Sequence, residues 1–101
     1  MQFDHVSVGK KANVYFDGKC ISHTVTLADG TRKSVGVILP STLRFDLSTK
    51  EIMEVVEGRA YVSINGSPEL TFLAGQRWEV EAGGYFVIRT DEPCHYVCHF
   101  G

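Results

Sequence analysis

Alternation of apolar and polar residues is the feature that most limits what this chain can fold into. In "TLRFDL", Leu43, Phe45 and Leu47 alternate with Arg44 and Asp46, which is the two-residue period of a strand with one buried face. No window longer than about ten residues keeps the three-then-four spacing of a helix. The chain is therefore predicted to be all-β.

Turn signals divide the chain into short strands. Asp29-Gly30, Asn65-Gly66 and Gly83-Gly84 each separate two apolar-rich runs, and Pro40 ends another. Roughly eight strands with turn signals every 8 to 12 residues or so are typical of a closed barrel or a double-sheet jelly roll. We expect residues 1–101 to form one domain of this kind, in which residues 1–14 are an N-terminal segment leading into the barrel.

Composition and charge exclude several classes of protein. The chain has 44% apolar residues, 22% charged residues and a formal net charge of -2, so it offers no basic surface for nucleic acid. No apolar run approaches the roughly 20 residues that span a bilayer, and no signal peptide is recognisable. Its three cysteines, Cys20, Cys94 and Cys98, cannot all pair, which favours reduced, buried thiols and a cytoplasmic location.

The C-terminal "CHYVCH" suggests a zinc site, but strand geometry argues against it. Cys94 and Cys98 would lie about 13 Å apart along a strand, and His95 and His99 would point to the opposite face. One zinc ion bound at about 2.0 to 2.3 Å cannot reach all four side chains. This segment is predicted to be a terminal strand with buried thiols on one face.

Two weak signatures match the spacing of the metal-binding motifs of cupin barrels. They are Phe45-x-Leu47-x3-Glu51-x6-Gly58 and Gly75-x5-Glu81-x-Gly83-x2-Phe86-x3-Thr90. The three histidine positions are occupied by Phe45, Leu47 and Phe86, so Glu51 is the one remaining ligand type. Divalent iron, zinc and manganese need several nitrogen or oxygen donors, so we expect a cupin-type barrel without a metal or other cofactor. A metal enzyme that borrows ligands from a partner subunit is a weaker alternative.

Further landmarks resemble one family of short cupins. They are "FDGK" (16–19), Arg32-x-"SVGV" (32–37), Phe45, Glu51-x-Met53-x-Val55-x2-Gly58, Ala74-Gly75 and Glu92-Pro93-x2-Tyr96-x-Cys98. From Phe16 to its end the chain resembles the pyrimidine/purine nucleoside phosphorylases, although the segment after Gly75 departs from the family's proline-glycine-histidine pattern. The resemblance implies a metal-independent pentosyltransferase that converts a purine or pyrimidine nucleoside and inorganic phosphate to ribose 1-phosphate and free base. It also implies a homodimer. The alternative is a non-catalytic cupin that binds a sugar-like or nucleoside ligand.

The same resemblance suggests roles for individual residues. Glu51 would hold ribose hydroxyls or stabilise the sugar cation, and Tyr96 would donate a hydrogen bond to the base. The substrate-binding candidates are Arg32 and Ser34 as a phosphate pair on one strand face, Arg44 as a second phosphate ligand, and Phe45 and Phe86 as pocket rings, with Phe86 stacking on the base. Alternatively, Glu51 opens a strand and faces solvent, Arg32 and Ser34 belong to an exposed charged face, and Tyr96 packs in the core.

Overall fold

The computed structural model describes residues 1–100, which contain eleven strands and one short 3-10 turn at Phe16–Gly18. The strands are β1 Ser7–Val8, β2 Asn13–Tyr15, β3 Cys20–Thr26, β4 Arg32–Ile38, β5 Ser41–Asp46, β6 Glu51–Glu57, β7 Arg59–Ile64, β8 Leu70–Leu73, β9 Arg77–Val80, β10 Tyr85–Thr90 and β11 Cys94–Phe100. No helix within residues 1–100 combines the length and the apolar character that a membrane crossing requires.

The strands form two antiparallel sheets. The first sheet has the order β1-β3-β4-β11-β6-β9, with β2 also paired to β3, and the second has the order β5-β10-β7-β8. The last strand, β11, lies between β4 and β6, so the end of the chain completes the middle of the first sheet. The predicted all-β, double-sheet fold is confirmed.

Two predicted hairpins are present where the glycines indicated them. Strands β3 and β4 pair from Cys20↔Ile38 to Thr26↔Arg32, and Gly30 adopts a φ of +88° in the turn between them. Asn65 and Gly66 both have positive φ, 49° and 78°, in the turn that leads from β7 towards β8. Positive φ at both central residues suits the right-handed twist of the flanking strands.

The N-terminal segment takes part in the first sheet. Ser7 pairs with Thr26, and Asn13 pairs with Ser22. Residues 1–14 therefore contain β1 and most of β2, so this segment widens the sheet in addition to leading into it.

One cluster of buried side chains fills the space between the two sheets. Ile38, Val55, Val62 and Ile88 are fully buried, as expected for inward positions that alternate with polar ones. The three cysteines are free and buried, and on β11 the cysteines face inward while His95 is exposed. The prediction of a terminal strand with buried thiols on one face is confirmed.

Candidate active site

An open cavity of about 480 Å³ occupies one end of the space between the sheets. Strands of both sheets contribute to it: Ser34 from β4, Phe45 from β5, Glu51 from β6, Phe86 from β10 and Cys98 from β11. Because β10 pairs with β5 and β11 pairs with both β4 and β6, residues distant in sequence meet at the same end of the barrel.

The four positions that correspond to cupin metal ligands converge on this cavity. Phe45, Leu47, Glu51 and Phe86 all line it, and Phe45 and Phe86 are direct cross-strand partners with ring centroids 5.1 Å apart. One carboxylate among three apolar side chains does not supply the donor set of a divalent cation. Within residues 1–100, no three histidine, cysteine or acidic side chains are grouped to hold a metal ion.

Glu51 points into the cavity and is not a solvent-facing strand end. Its side chain is half-buried, and the thiol of Cys98 donates a hydrogen bond to its Oε1 at 3.4 Å. Burial raises the pKa of Glu51 above its usual value, and the hydrogen bond from Cys98 offsets only part of this effect. The carboxylate is thus poorly solvated when charged, which makes it responsive to a positive charge developing beside it.

A group of polar side chains lines the buried part of the cavity, and we call it the polar wall: Asn13, Ser22, Thr24, Ser34 and Tyr96. The Asn13 amide donates to the hydroxyls of Ser22 and Thr24 at 3.4 and 3.3 Å. These hydroxyls can exchange such partners for a bound molecule that carries several hydroxyl groups.

Tyr96 is a buried member of the polar wall. Its hydroxyl oxygen lies 3.3 Å from Cys20 Sγ, and only 6% of the residue is exposed. Burial raises the pKa of Tyr96 well above its usual value, so the phenol keeps its proton at neutral pH and remains a hydrogen-bond donor.

Sequence reasoning did not identify Asn13, Ser22, Thr24 or Cys98 as members of the site. The period-two run of small polar residues Ser22 and Thr24 in β3 was the available signal for the polar wall. Asn13 gave no signal, because the N-terminal segment was expected only to lead into the barrel.

The predicted phosphate pair is separated by the structure. Ser34 is buried on the cavity wall, whereas Arg32 is exposed at the first residue of β4 and does not line the cavity. Arg44 is the one lysine or arginine on the cavity wall among residues 1–100. Its guanidinium pairs with Asp46 at 3.0 Å and lies 4.0 Å from the centre of the Tyr85 ring, so it belongs to the exposed rim.

Phe86 does not present a ring for base stacking, which corrects the role expected for it. The residue is fully buried, with Phe45 stacked on it and the edge of Trp78 at a centroid distance of 5.6 Å. The exposed rings on the cavity wall are those of Tyr15, Phe16 and Phe100, which we call the aromatic rim.

Solved structures show the same architecture. A protein of unknown function from Acinetobacter sp. ADP1 superimposes with a TM-score of 0.96 and 48% sequence identity, covering 99% of this chain and 98% of that one. An RmlC-like cupin from Shewanella frigidimarina NCIMB 400 gives a TM-score of 0.74 at 15% identity, covering 98% of this chain and 91% of its own. The second likeness identifies the fold as a cupin.

Sequence comparison assigns the family. Proteins named pyrimidine/purine nucleoside phosphorylase from Dechloromonas aromatica and Thiobacillus denitrificans are 59% and 58% identical to this chain. Each match covers 99% of this chain and 98% of the relative. The family model described as pyrimidine/purine nucleoside phosphorylase matches residues 10–100. The chain therefore belongs to the pyrimidine/purine nucleoside phosphorylase family.

Proposed function

We propose that this chain catalyses phosphorolysis of purine and pyrimidine nucleosides without a metal ion. An oxygen of inorganic phosphate forms a bond to C1′ of the ribose while the bond from C1′ to the base nitrogen breaks. The bonding electrons leave with the base, which takes up a proton, and the products are ribose 1-phosphate and free base. The observation that supports this most is the half-buried Glu51 in a cavity whose other cupin ligand positions are apolar.

Glu51 suits the stabilisation of a sugar cation. As the bond to the base weakens, positive charge develops at C1′ and the ring oxygen, and a carboxylate held in a poorly solvated site attracts that charge strongly. The uncharged substrate gains less from the same carboxylate. Glu51 thus favours the transition state over the ground state, which is what raises turnover.

The polar wall suits the ribose. Buried Ser34 and Tyr96 offer hydroxyl groups at a depth where a sugar loses its water, so each sugar hydroxyl needs a protein partner. The family resemblance suggests that Tyr96 donates a hydrogen bond to the base. We instead assign the protonated Tyr96 hydroxyl to a ribose oxygen.

Arg44 is the proposed phosphate ligand. Its ion pair with Asp46 is mostly exposed, with 57% and 70% of the two side chains accessible, and such pairs contribute little stability. A phosphate dianion that accepts two parallel hydrogen bonds from the guanidinium can therefore displace Asp46.

The test measures free base. Purified protein is incubated with uridine or adenosine, with and without inorganic phosphate, and released base is separated by chromatography. Base is expected only when phosphate is present, together with an equal amount of ribose 1-phosphate. Release without phosphate would identify a hydrolase. No release with any nucleoside would leave the non-catalytic ligand-binding cupin as the function.

Metal independence has its own test. Phosphorolysis is expected to continue unchanged after dialysis against a chelator, because among residues 1–100 the cavity wall offers no histidine and two carboxylates, of which Asp46 is paired with Arg44. Elemental analysis of protein purified without chelator completes the test. Iron, zinc or manganese at one equivalent per chain, with activity lost on its removal, would favour ligands borrowed from a partner subunit.

We also propose that the protein is cytoplasmic, a location that its three free thiols favour, and that it forms a homodimer, as the family resemblance suggests. Edge strand β8 carries the exposed apolar residues Leu70 and Leu73, and an unpaired apolar edge is a common site of association. Light scattering coupled to size-exclusion chromatography is expected to give twice the chain mass of 11.2 kDa.

A further inference from the structure

The turn at Phe16–Gly18 is a strained segment beside the cavity. Phe16 and Asp17 adopt φ angles of 52° and 53°, followed by Gly18 at 90°, and the amide of Lys19 donates to the Phe16 carbonyl at 3.1 Å. Positive φ is ordinary for glycine but unusual for a bulky side chain such as phenylalanine. Residues held in such conformations cluster at functional sites, where the strain is part of the mechanism.

Burial does not account for the strain at Phe16. The residue is 43% exposed and lies outside the buried core cluster. Among residues 1–100, its one aromatic contact is an edge-to-face approach to Phe45, with centroids 5.2 Å apart. The unusual backbone therefore places an apolar ring at the cavity mouth and leaves much of it open to water.

Polarity is distributed unevenly between the depth and the mouth of the cavity. The polar wall is mostly buried, with Ser22 and Tyr96 at 3% and 6% exposure, whereas the aromatic rim is 43 to 48% exposed. A nucleoside has the same two halves, namely a sugar rich in hydroxyl groups and a flat, apolar-faced base. The hydroxyl-rich ribose fits the polar wall inside the cavity, and the flat base fits the aromatic rim at the mouth.

We propose that Phe16 is the substrate-binding residue on which the nucleobase stacks, and that this contact gives affinity for purines and pyrimidines alike. This inference rests on the proposed function. Stacking is tolerant because every base has a π-face. Without phosphate, the charged side chains Arg44 and Asp46 at the mouth are paired with each other.

Binding measurements test the proposal without requiring turnover. Calorimetric titration with adenosine and uridine in the absence of phosphate, and with ribose 1-phosphate, compares the wild type with Phe16→Leu. Loss of the ring is expected to weaken adenosine about tenfold and uridine about threefold, since stacking scales with ring area, and to change ribose 1-phosphate less than twofold. Phe3→Leu is the matched control, because Phe3 is also exposed but does not line the cavity.

A second variant separates a role in binding from a role in folding. Phe16→Gly relieves the backbone strain and removes the ring, so it is expected to lose adenosine affinity while its melting temperature stays at or above that of the wild type. Equal weakening of adenosine and ribose 1-phosphate by Phe16→Leu would overturn the proposal. A fall in melting temperature of more than about 5 °C in Phe16→Gly would also overturn it. Adenosine that binds in a Phe16-dependent way but releases no base with phosphate would contradict phosphorolysis and not the stacking role.

Discussion

The two ends of the barrel use the same strands for different purposes. At the closed end, Val55, Val62 and Ile88 are fully buried and Trp78 packs against Phe72. At the open end, the same sheets carry Glu51 and the polar wall around a cavity of about 480 Å³. Tight packing at one end holds the strands in register, so the other end can keep a poorly solvated carboxylate, Glu51, that lowers stability when it is charged.

Phe86 marks the boundary between these two regions. Its ring contacts Trp78 on the closed side and Phe45 on the cavity side, so it supports both. Substitutions at Phe86, at Glu51 and at Arg44 should therefore affect stability, turnover and phosphate binding respectively, with effects of decreasing size.

The largest expected effect is on stability. Phe86→Ala should lower the free energy of unfolding by about 3 to 5 kcal/mol, because it removes a fully buried ring and leaves a cavity between the two ends. Phe100→Ala, which removes a 45% exposed ring, should cost less than about 1 kcal/mol. Denaturation by urea measures both, and equal losses would show that the boundary is no more tightly packed than the mouth.

The second effect is on catalysis. Glu51→Gln should lower kcat/KM for nucleosides at least tenfold, or about 1.4 kcal/mol, because the neutral amide does not attract the sugar cation. Glu57→Gln is the control, since Glu57 lies on the same strand with 81% of its side chain exposed. Steady-state kinetics at saturating phosphate measure both variants. Unchanged turnover in Glu51→Gln would remove Glu51 from the site.

A smaller effect is expected for Arg44 at the cavity mouth. Arg44→Gln should raise the KM for phosphate about fivefold through loss of charge-assisted hydrogen bonds, while Arg32→Gln should change it less than twofold. The comparison tests whether position on the cavity wall or mere positive charge matters. Similar KM values in the two variants would contradict the assignment of Arg44.

The smallest effect is a pH-dependent difference in stability. Because burial raises the pKa of Glu51, the folded state holds this proton more tightly than the unfolded state does. The contribution of Glu51 to stability is therefore full below its ordinary pKa and is lost as pH rises through the folded-state pKa. Glu51→Gln should gain stability relative to the wild type as pH rises from about 4, near the ordinary pKa of a glutamate, through the raised folded-state pKa of Glu51. A stability difference that stays constant over this range would argue against a desolvated carboxylate.

Local features of the fold were predictable from sequence. The alternation of Leu43, Phe45 and Leu47 and the dipeptide Asn65-Gly66 each depend on neighbouring residues, so they predicted a strand and a turn correctly. The placement of β11 between β4 and β6 depends on long-range pairing, which no local pattern encodes. The contact between Cys98 and Glu51 was unpredictable for the same reason.

The site was predicted in part. The cupin spacing correctly brought Phe45, Glu51 and Phe86 to one cavity. Period-two alternation placed Arg32 and Ser34 on one face, but a face does not specify depth along the barrel, and only Ser34 reaches the cavity. No propensity indicates a left-handed backbone at Phe16, since phenylalanine rarely adopts it.

The stacked rings of Phe45 and Phe86 also determine where the cavity can be enlarged. Replacing Phe86 with a smaller residue would loosen the closed end. Phe45, in contrast, is only partly buried and faces the cavity. A smaller side chain at position 45 would deepen the cavity and leave the packing of Phe86 against Trp78 in place. A single substitution at position 45 would therefore make room for a bulkier substrate. Phe86 would continue to support the closed end of the barrel.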